Sequence, residues 1–216
     1  MDIKELNLKS VKFPVYEYFP IRHKKSQIYL HHTASGPSAY SVWNWWKNDK
    51  GRIGTCVVIG SDGEIVQGFS SKYWAYHLGL ATKHFATLGL PYKKLDPISI
   101  GIEICCWGQL TEKNGKFYNY VNQEVPADRV CKLDKPFKGY TYYEDYTDEQ
   151  IESVRKLLLL WHETYNIPIE YNEDIWDINE RALSGVPGVY THNSVRPDKV
   201  DVYPNPKLIK MLKTLS

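Results

Sequence analysis

Apolar and polar residues alternate with a period of two in three stretches of the chain, which predicts β-strands. The first is QIYL at residues 27–30, with HHTAS at 31–35 as its exit. The second is CVVIGSDGEIVQGF at 56–69, where a tight Asp-Gly turn between two apolar runs predicts a hairpin. The third is SIGIEI at 99–104. Its isoleucines form one apolar face, and its other face carries Glu103.

Residues 37–49 predict the first helix, because apolar side chains recur there with the helical period and Ser38 can serve as the N-cap. The buried stripe of this helix is expected to consist of Ala39, Val42, Trp45 and Trp46. The first of two further segments, 82–88, predicts a loop that can turn helical, and the second, 174–183, predicts a short helix. The second of these is broken by SGVPG, which leads the chain toward its last histidine.

The clearest helical pattern is TDEQIESVRKLLLLWHETYN at residues 147–166. Thr147 and the glutamine three residues later have the spacing of a capping box. Its expected buried stripe is Ile151, Val154, Leu157, Leu158 and Trp161. His162 lies beside that stripe, and we expect it at the solvent-exposed rim. A final helix begins at Pro206, with Asn205 as its N-cap.

The length of 216 residues, with 43% hydrophobic residues, suits one domain with a substantial core. We expect residues 1–26 to be a loosely packed lead-in with one short strand, and residues 27–216 to form the domain. Residues 109–146 are polar and rich in tyrosine, and a hairpin around Asn114 and Gly115 is the only element they predict.

Charge and cysteine content narrow the class of protein. The formal net charge of +2, from 27 basic and 25 acidic side chains, is too balanced for a nucleic-acid-binding surface. The four cysteines form no CxxC pair, and Cys105 and Cys106 are adjacent in an apolar run. Such cysteines are typical of reduced, buried thiols. The 7 tryptophans and 17 tyrosines fit either an aromatic surface that binds sugar rings or simply a tyrosine-rich core.

The first twenty residues, MDIKELNLKSVKFPVYEYFP, lack the apolar core of a secretory signal. No stretch approaches the ~20 apolar residues of a membrane span. We therefore expect a soluble chain that is made in the cytoplasm, has no signal peptide and does not insert into a membrane.

The candidate chemistry begins with YTHNSVRPDKVDVYP at residues 190–204, which brings His192, Lys199 and Asp201 within ten positions. A catalytic zinc ion uses three protein ligands and leaves its fourth position to water. His192 and Asp201 could supply two of these ligands, with Lys199 free to stabilise an oxyanion. A surface loop with a solvated lysine and aspartate is the alternative.

Two further segments offer a third metal ligand and a proton acceptor. His31 and His32 end the first strand, where only one of them can point to a given face, and we expect His31 to be the third ligand. A half-buried, hydrogen-bonded histidine pair is the alternative. Glu103 would be unfavourable to bury without a partner, and a nearby metal site would give it the role of proton acceptor. His77, among aromatic residues, is either a structural hydrogen bonder or part of a groove wall.

In this order, the motifs HHTAS, SDGEIVQG, WAYHLG, SIGIEI and THNSVRPDKVD resemble those of N-acetylmuramoyl-L-alanine amidase family 2. The resemblance covers roughly residues 27–212 and is specific for the set of motifs rather than for any one of them. It implies an α/β fold, with a single domain, a central mixed β-sheet flanked by α-helices and one zinc ion at one end of the sheet.

The resemblance also implies roles for individual residues. It places the zinc ligands on His31, His192 and Asp201, a catalytic glutamate on Glu103 and a catalytic lysine on Lys199. The other branch of the family has a tyrosine on the hairpin strand, and this chain has a threonine, residue 55, at that position. The chain therefore resembles the glutamate branch.

The implied reaction is zinc-dependent hydrolysis of the amide between the lactyl group of N-acetylmuramic acid and the L-alanine of the stem peptide, in peptidoglycan or muropeptides. In that setting Trp74 and His77 line the groove, and Arg196 either pairs with a stem-peptide carboxylate or is merely solvated. The alternatives are a non-catalytic peptidoglycan-binding receptor and a zinc peptidase that acts on stem peptides. We expect a monomer that acts on the cell wall after release, like an endolysin, or on cytoplasmic muropeptides.

Overall fold

Two β-sheets form within the part of the chain that the computed structural model describes, which is residue 6 and residues 8–215. The strands, numbered in chain order, are β1 (Leu8–Ser10), β2 (Gln27–His32), β3 (Val57–Ile59), β4 (Ile65–Gln67), β5 (Ser99–Ile104), β6 (Gln109–Lys113), β7 (Lys116–Tyr118), β8 (Glu124–Val125), β9 (Val130–Phe137), β10 (Tyr140–Glu144) and β11 (Gly188–Thr191). The larger sheet has the order β1-β4-β3-β5-β2-β11, and the smaller one has the order β8-β7-β6-β10-β9.

The larger sheet is mixed, as the resemblance implied. Strand β2 lies between β5 and β11, parallel to both, whereas β3 and β4 form the predicted antiparallel hairpin. In this register His31 stands opposite Glu103, and Thr191 stands opposite Leu30. The carboxyl ends of parallel strands meet at one edge of a sheet. That edge therefore gathers His31, Glu103 and the residue that follows Thr191.

Five α-helices accompany the sheets within the described residues: α1 (Ala39–Trp46), α2 (Thr82–Ala86), α3 (Asp148–Tyr165), α4 (Glu180–Leu183) and α5 (Pro206–Lys213). The capping box of α3 is confirmed, because Thr147 Oγ1 accepts from the Gln150 N–H (3.1 Å) and Gln150 Oε1 accepts from the Thr147 N–H (3.0 Å). The predicted stripe of α3 is buried. The side chain of Asn205 caps α5 as predicted.

The predicted stripe of α1 is wrong at one position. Trp45 is 64% exposed, and Trp43 is buried in its place. The Trp43 indole N–H donates to the carbonyl of Val66 (3.1 Å), and its ring lies against Gly68, where a Cβ atom would come within 2.3 Å of it. The hydrogen bond to Val66 and the space left by Gly68 therefore favour burial of Trp43, and Trp45 faces solvent.

The N-terminal lead-in is better packed than expected in its described part. Strand β1 pairs in parallel with β4, and the ring of Phe13 packs edge-on against Trp43 with 4.8 Å between ring centroids. Residues 1–5 and 7 of the predicted lead-in lie outside the described residues. The boundary at residue 27 stays a prediction.

Residues 109–146 contain all five strands of the smaller sheet, which the sequence predicts only in part. The hairpin around Asn114 and Gly115 is confirmed, and both residues adopt the positive φ angles (54° and 77°) that such a turn needs. The other strands of the sheet were not predicted. Within the described residues, none of the helices combines the length and the apolar content that a membrane span requires.

Candidate metal centre and active site

Three buried side chains meet at the carboxyl-end edge of the larger sheet. His31 Nδ1 lies 3.1 Å from His192 Nδ1 and 3.2 Å from Asp201 Oδ2, and His192 Nδ1 lies 3.0 Å from the same carboxylate oxygen. In a tetrahedral site with ligand bonds of about 2.0–2.2 Å, neighbouring ligand atoms are about 3.3–3.6 Å apart, slightly farther than here. The spacing is therefore close to that of one face of a metal-centred tetrahedron, and these residues form a group that could hold a metal ion.

The tautomer of a neutral His192 follows from the hydrogen-bond partner of its second ring nitrogen. Nε2 lies 3.0 Å from the carbonyl oxygen of Leu78, which can only accept a hydrogen bond. A neutral His192 ring therefore carries its hydrogen on Nε2, and its Nδ1 then presents a lone pair to His31 and Asp201.

The protonation of His31 follows from a longer chain of hydrogen bonds. The Ser99 hydroxyl donates to the carbonyl of Asp96 (3.2 Å), so Ser99 Oγ accepts from Nε2–H of His77 (2.8 Å). Nδ1 of His77 is then an acceptor and takes the hydrogen of His31 Nε2, at 3.0 Å. As in His192, the Nδ1 lone pair of His31 is left pointing into the cluster.

Three acceptors thus face one another with no hydrogen between them, which is unfavourable unless a cation lies among them. Burial and, to a smaller extent, the neighbouring His192 lower the pKa of His31 to about 4, so the His31 ring itself is neutral at neutral pH. Burial would raise the pKa of Asp201, but positive charge on His192 and His31 and hydrogen bonds from them hold it well below its ordinary value, so a cation at this place keeps the carboxylate ionised. One carboxylate and two neutral imidazoles are a donor set for a divalent metal ion.

His32 takes no part in this cluster. Its Nδ1 lies 3.1 Å from the hydroxyl of Tyr146, and the residue is buried. Successive side chains of a strand point to opposite faces, so the two histidines at the end of β2 are separated as the alternation predicts.

Glu103 stands beside the cluster because β5 pairs with β2 in the register that sets it opposite His31. Its side chain lines the same groove as the three clustered groups, and it forms no hydrogen bond or ion pair with any residue that the structure describes. Burial raises the pKa of Glu103 well above its ordinary value, the Asp201 carboxylate raises it further, and Lys199 opposes the shift. A carboxyl group in this state can exchange a proton with a bound molecule.

The groove has a volume of about 1080 Å³ and passes over the cluster. Lys199 lines it together with Glu103 and Asp201. Aromatic side chains also line the groove: Trp45 from α1, and Trp107 and Tyr120, which precede and follow the β6–β7 hairpin and lie together at its open end. The sequence analysis missed all three. Trp45 was assigned to the core, and the other two lie in or next to a segment with little periodicity.

Two of the expected groove residues lie elsewhere. Trp74 is only 6% exposed and stacks on Phe19, with 3.8 Å between ring centroids, so it does not line this groove. Arg196 forms an ion pair with Asp198 and donates from Nη1 to the carbonyl of Gly79 (3.1 Å). A contact of either residue with substrate stays a prediction.

His77 was expected to line the groove, and it does so. Its ring nitrogens are both engaged within the protein, one toward His31 and the other toward Ser99. These contacts favour a structural, hydrogen-bonding role for His77.

Comparison with known proteins adds the family to this geometry. The family model for N-acetylmuramoyl-L-alanine amidase matches residues 22–205, and the chain belongs to that family, N-acetylmuramoyl-L-alanine amidase family 2. It is thus an amide hydrolase of peptidoglycan. A search of curated proteins finds no match.

Solved structures with the same fold include PlyL, at a TM-score of 0.55 and 15% identity, with 98% of each chain covered. The catalytic domain of XlyA has a TM-score of 0.54 and 16% identity, and the match covers 97% of this chain and 99% of that one. A selenomethionine derivative of AmpD has a TM-score of 0.50 and 16% identity, with 97% and 94% covered. At this level of identity the likeness shows the fold.

Proposed function

We propose that this chain is a zinc-dependent amidase that cleaves the bond between the lactyl group of N-acetylmuramic acid and the L-alanine of the stem peptide. The observation that carries the proposal is the convergence of three lone pairs, on His31, His192 and Asp201, beside a carboxyl group without a protein partner. Family membership supplies the class of substrate.

In this proposal His31 and His192 hold zinc through Nδ1, and Asp201 holds it through Oδ2. Two nitrogens and one oxygen suit zinc, and three protein ligands leave a position open. A bound zinc ion acts as a Lewis acid toward the scissile carbonyl and toward a water nucleophile. The Nε2–H groups of both histidines stay bonded to the protein, which keeps the rings in place.

Glu103 is the proton carrier in this proposal. Its carboxylate takes a proton from the attacking water and returns it to the nitrogen of the leaving L-alanine. The raised pKa of Glu103 suits the first step, because it makes the carboxylate a stronger base toward the water. The protonated carboxyl remains acidic enough to protonate an amine nitrogen in the second step. The lack of a protein hydrogen bond leaves its oxygens available to the water.

Lys199 is proposed to stabilise the oxyanion that forms when the carbonyl is attacked. It lines the groove on the same loop as Asp201, and its positive charge acts on both Glu103 and His31. A fixed cation at the position where negative charge develops lowers the barrier more than one that merely binds the substrate. We propose that the chain acts as a monomer.

Digestion of purified cell wall, and separately of soluble muropeptides, tests the proposed reaction. Zinc-loaded protein is expected to release intact stem peptides and leave free lactyl carboxyl groups, and chelation should abolish both products. His192→Ala should lose zinc together with activity. New termini within the stem peptide would indicate a peptidase, binding without any product would indicate a receptor, and full activity after complete metal removal would contradict the zinc mechanism. The faster of the two substrates shows whether wall or fragment is the natural one.

A further inference from the structure

Asp96 is a buried carboxylate, 6% exposed, at the start of a 3-10 turn (Asp96–Ile98) that leads into β5. Its Oδ1 accepts from the backbone N–H groups of His77 (2.9 Å) and Leu78 (3.1 Å). Residues 77 and 78 belong to neither a helix nor a strand, so no ladder or helical hydrogen bond fixes these two N–H groups. The carboxylate of Asp96 does so instead.

His77 and Leu78 are also the two residues that bond the far sides of the candidate ligands. The ring of His77 accepts from His31 Nε2–H, and the carbonyl of Leu78 accepts from His192 Nε2–H. One carboxylate oxygen therefore fixes the backbone of both supports at once. Its side chain touches neither histidine and does not line the groove.

The main chain of Asp96 contributes a second restraint. Its carbonyl takes the hydrogen of the Ser99 hydroxyl, which obliges Ser99 Oγ to accept from His77 Nε2–H. The direction of the whole chain of hydrogen bonds, from Ser99 through His77 to His31, follows from that contact. Gly101 leaves room for the His77 ring, since a Cβ atom there would lie 3.1 Å from His77 Nδ1 and 2.4 Å from Thr55 Cγ2.

We propose that Asp96 is a positioning residue for the metal centre, which holds the His77–Leu78 segment so that both ligand histidines present an unprotonated Nδ1. The inference rests on the proposed zinc site. Without the carboxylate, His77 and Leu78 lose the acceptor for their backbone N–H groups, and the two ligand rings lose a fixed partner for Nε2. Substitutions of this kind weaken metal affinity by about 10- to 100-fold in other sites.

Zinc affinity, measured by chelator competition, tests this role independently of catalysis. Asp96→Ala is expected to raise the zinc Kd by about 10- to 100-fold. Asp96→Asn keeps an oxygen that can accept both N–H groups, so its Kd should stay closer to that of the unchanged protein. An Asp96→Ala protein that folds and binds zinc as tightly as the unchanged protein would overturn the inference.

Asn119 offers a matched control. It is buried, and its Oδ1 also accepts two backbone N–H groups, those of Val121 (3.1 Å) and Gln123 (2.9 Å), but in the smaller sheet's segment. Asn119→Ala should lower the unfolding temperature and leave the zinc Kd unchanged. Equal losses of zinc affinity in Asn119→Ala and Asp96→Ala would mean that general destabilisation is responsible, and would overturn the inference.

The histidine tautomers provide a readout that needs no variant. Nitrogen-15 NMR of the metal-free protein at neutral pH should show His31, His77 and His192 each protonated at Nε2. A hydrogen on Nδ1 of His77 would overturn the inference even where Asp96→Ala does not fold. Failure of the unchanged protein to bind zinc would instead contradict the proposed function, whereas zinc binding that ignores Asp96 would leave the proposed function standing.

Discussion

The edge of the larger sheet and the last strand but one of the smaller sheet, β10, each carry a glutamate, and the two differ in their partners: Glu103 is partly buried, and Glu144 is buried. Glu144, at the end of β10, accepts from the Trp107 N–H (2.6 Å) and forms an ion pair with Arg129. Glu103 has no such partner among the described residues. Burial raises the pKa of both carboxyl groups, but hydrogen bonds and Arg129 oppose the shift at Glu144, whereas Asp201 adds to the shift at Glu103.

This difference in partners gives the two carboxylates different effects on the stability of the fold. A carboxylate whose oxygens are satisfied by the protein stabilises the fold, because its removal leaves donors unpaired. A carboxylate that faces a groove with its acceptors free destabilises the fold slightly and is available for chemistry. Four predictions test this contrast.

The largest effect is expected at Glu103. Glu103→Gln keeps the size of the side chain and removes the proton acceptor, so kcat should fall by about 10²- to 10⁴-fold. Zinc content should remain one ion per chain, because the proposed ligands are untouched. Steady-state kinetics and metal analysis of the same preparation check both results, and a joint loss of zinc would make Glu103 a ligand.

The corresponding change in the other region should affect stability and not catalysis. Glu144→Gln leaves Arg129 without its carboxylate and gives the Trp107 N–H a weaker acceptor. The free energy of unfolding should fall by about 1.5–3 kcal/mol, the range for hydrogen bonds to charged groups. Urea denaturation measures the loss, and kcat of the folded variant should remain near that of the unchanged protein. A fall in kcat comparable to that of Glu103→Gln would contradict the claim that Glu144 serves only the stability of the fold.

The pH dependence of stability tests the raised pKa of Glu103. The pKa of Glu103 in the metal-free fold lies well above its unfolded value of 4.5. Its favourable contribution is therefore complete below pH 4.5 and is lost as the pH rises through the folded pKa. Metal-free Glu103→Gln should be more stable than the unchanged protein at pH 7 and equal to it near pH 4. Denaturation in the presence of a chelator at both pH values measures this difference in stability. A variant that is less stable than the unchanged protein at pH 7 would contradict the raised pKa of Glu103.

The smallest effect is expected at the wall that the smaller sheet contributes to the groove. Tyr120 is 62% exposed, its ring meets Trp107 edge-on at 5.8 Å, and its hydroxyl donates to the carbonyl of Ala34 (2.9 Å). Tyr120→Ala should raise KM for wall fragments by about two- to tenfold and leave kcat unchanged, since one aromatic contact is worth about 0.5–1.5 kcal/mol. Tyr16→Ala, at a similarly exposed tyrosine away from the groove, should leave both constants unchanged.

The same two regions show what a sequence can predict. The strand pattern places His31 and Glu103 at neighbouring strand ends, and parallel pairing then brings them together, so the proximity of these two residues was predictable. The smaller sheet was not, because its strands are as short as two residues and their pairings are set by tertiary contacts. Trp74 was misplaced because its stacking partner, Phe19, is far away in sequence. The role of Asp96 depends on backbone N–H groups, which no side-chain pattern reveals.

Anomalous scattering at the zinc absorption edge, from crystals of the unchanged protein, tests the shared metal site most directly. A single peak is expected within 2.0–2.2 Å of His31 Nδ1, His192 Nδ1 and Asp201 Oδ2. Ligation through Nε2 of either histidine, or a zinc-loaded protein whose peak lies elsewhere, would contradict the convergence of these three lone pairs on one ion.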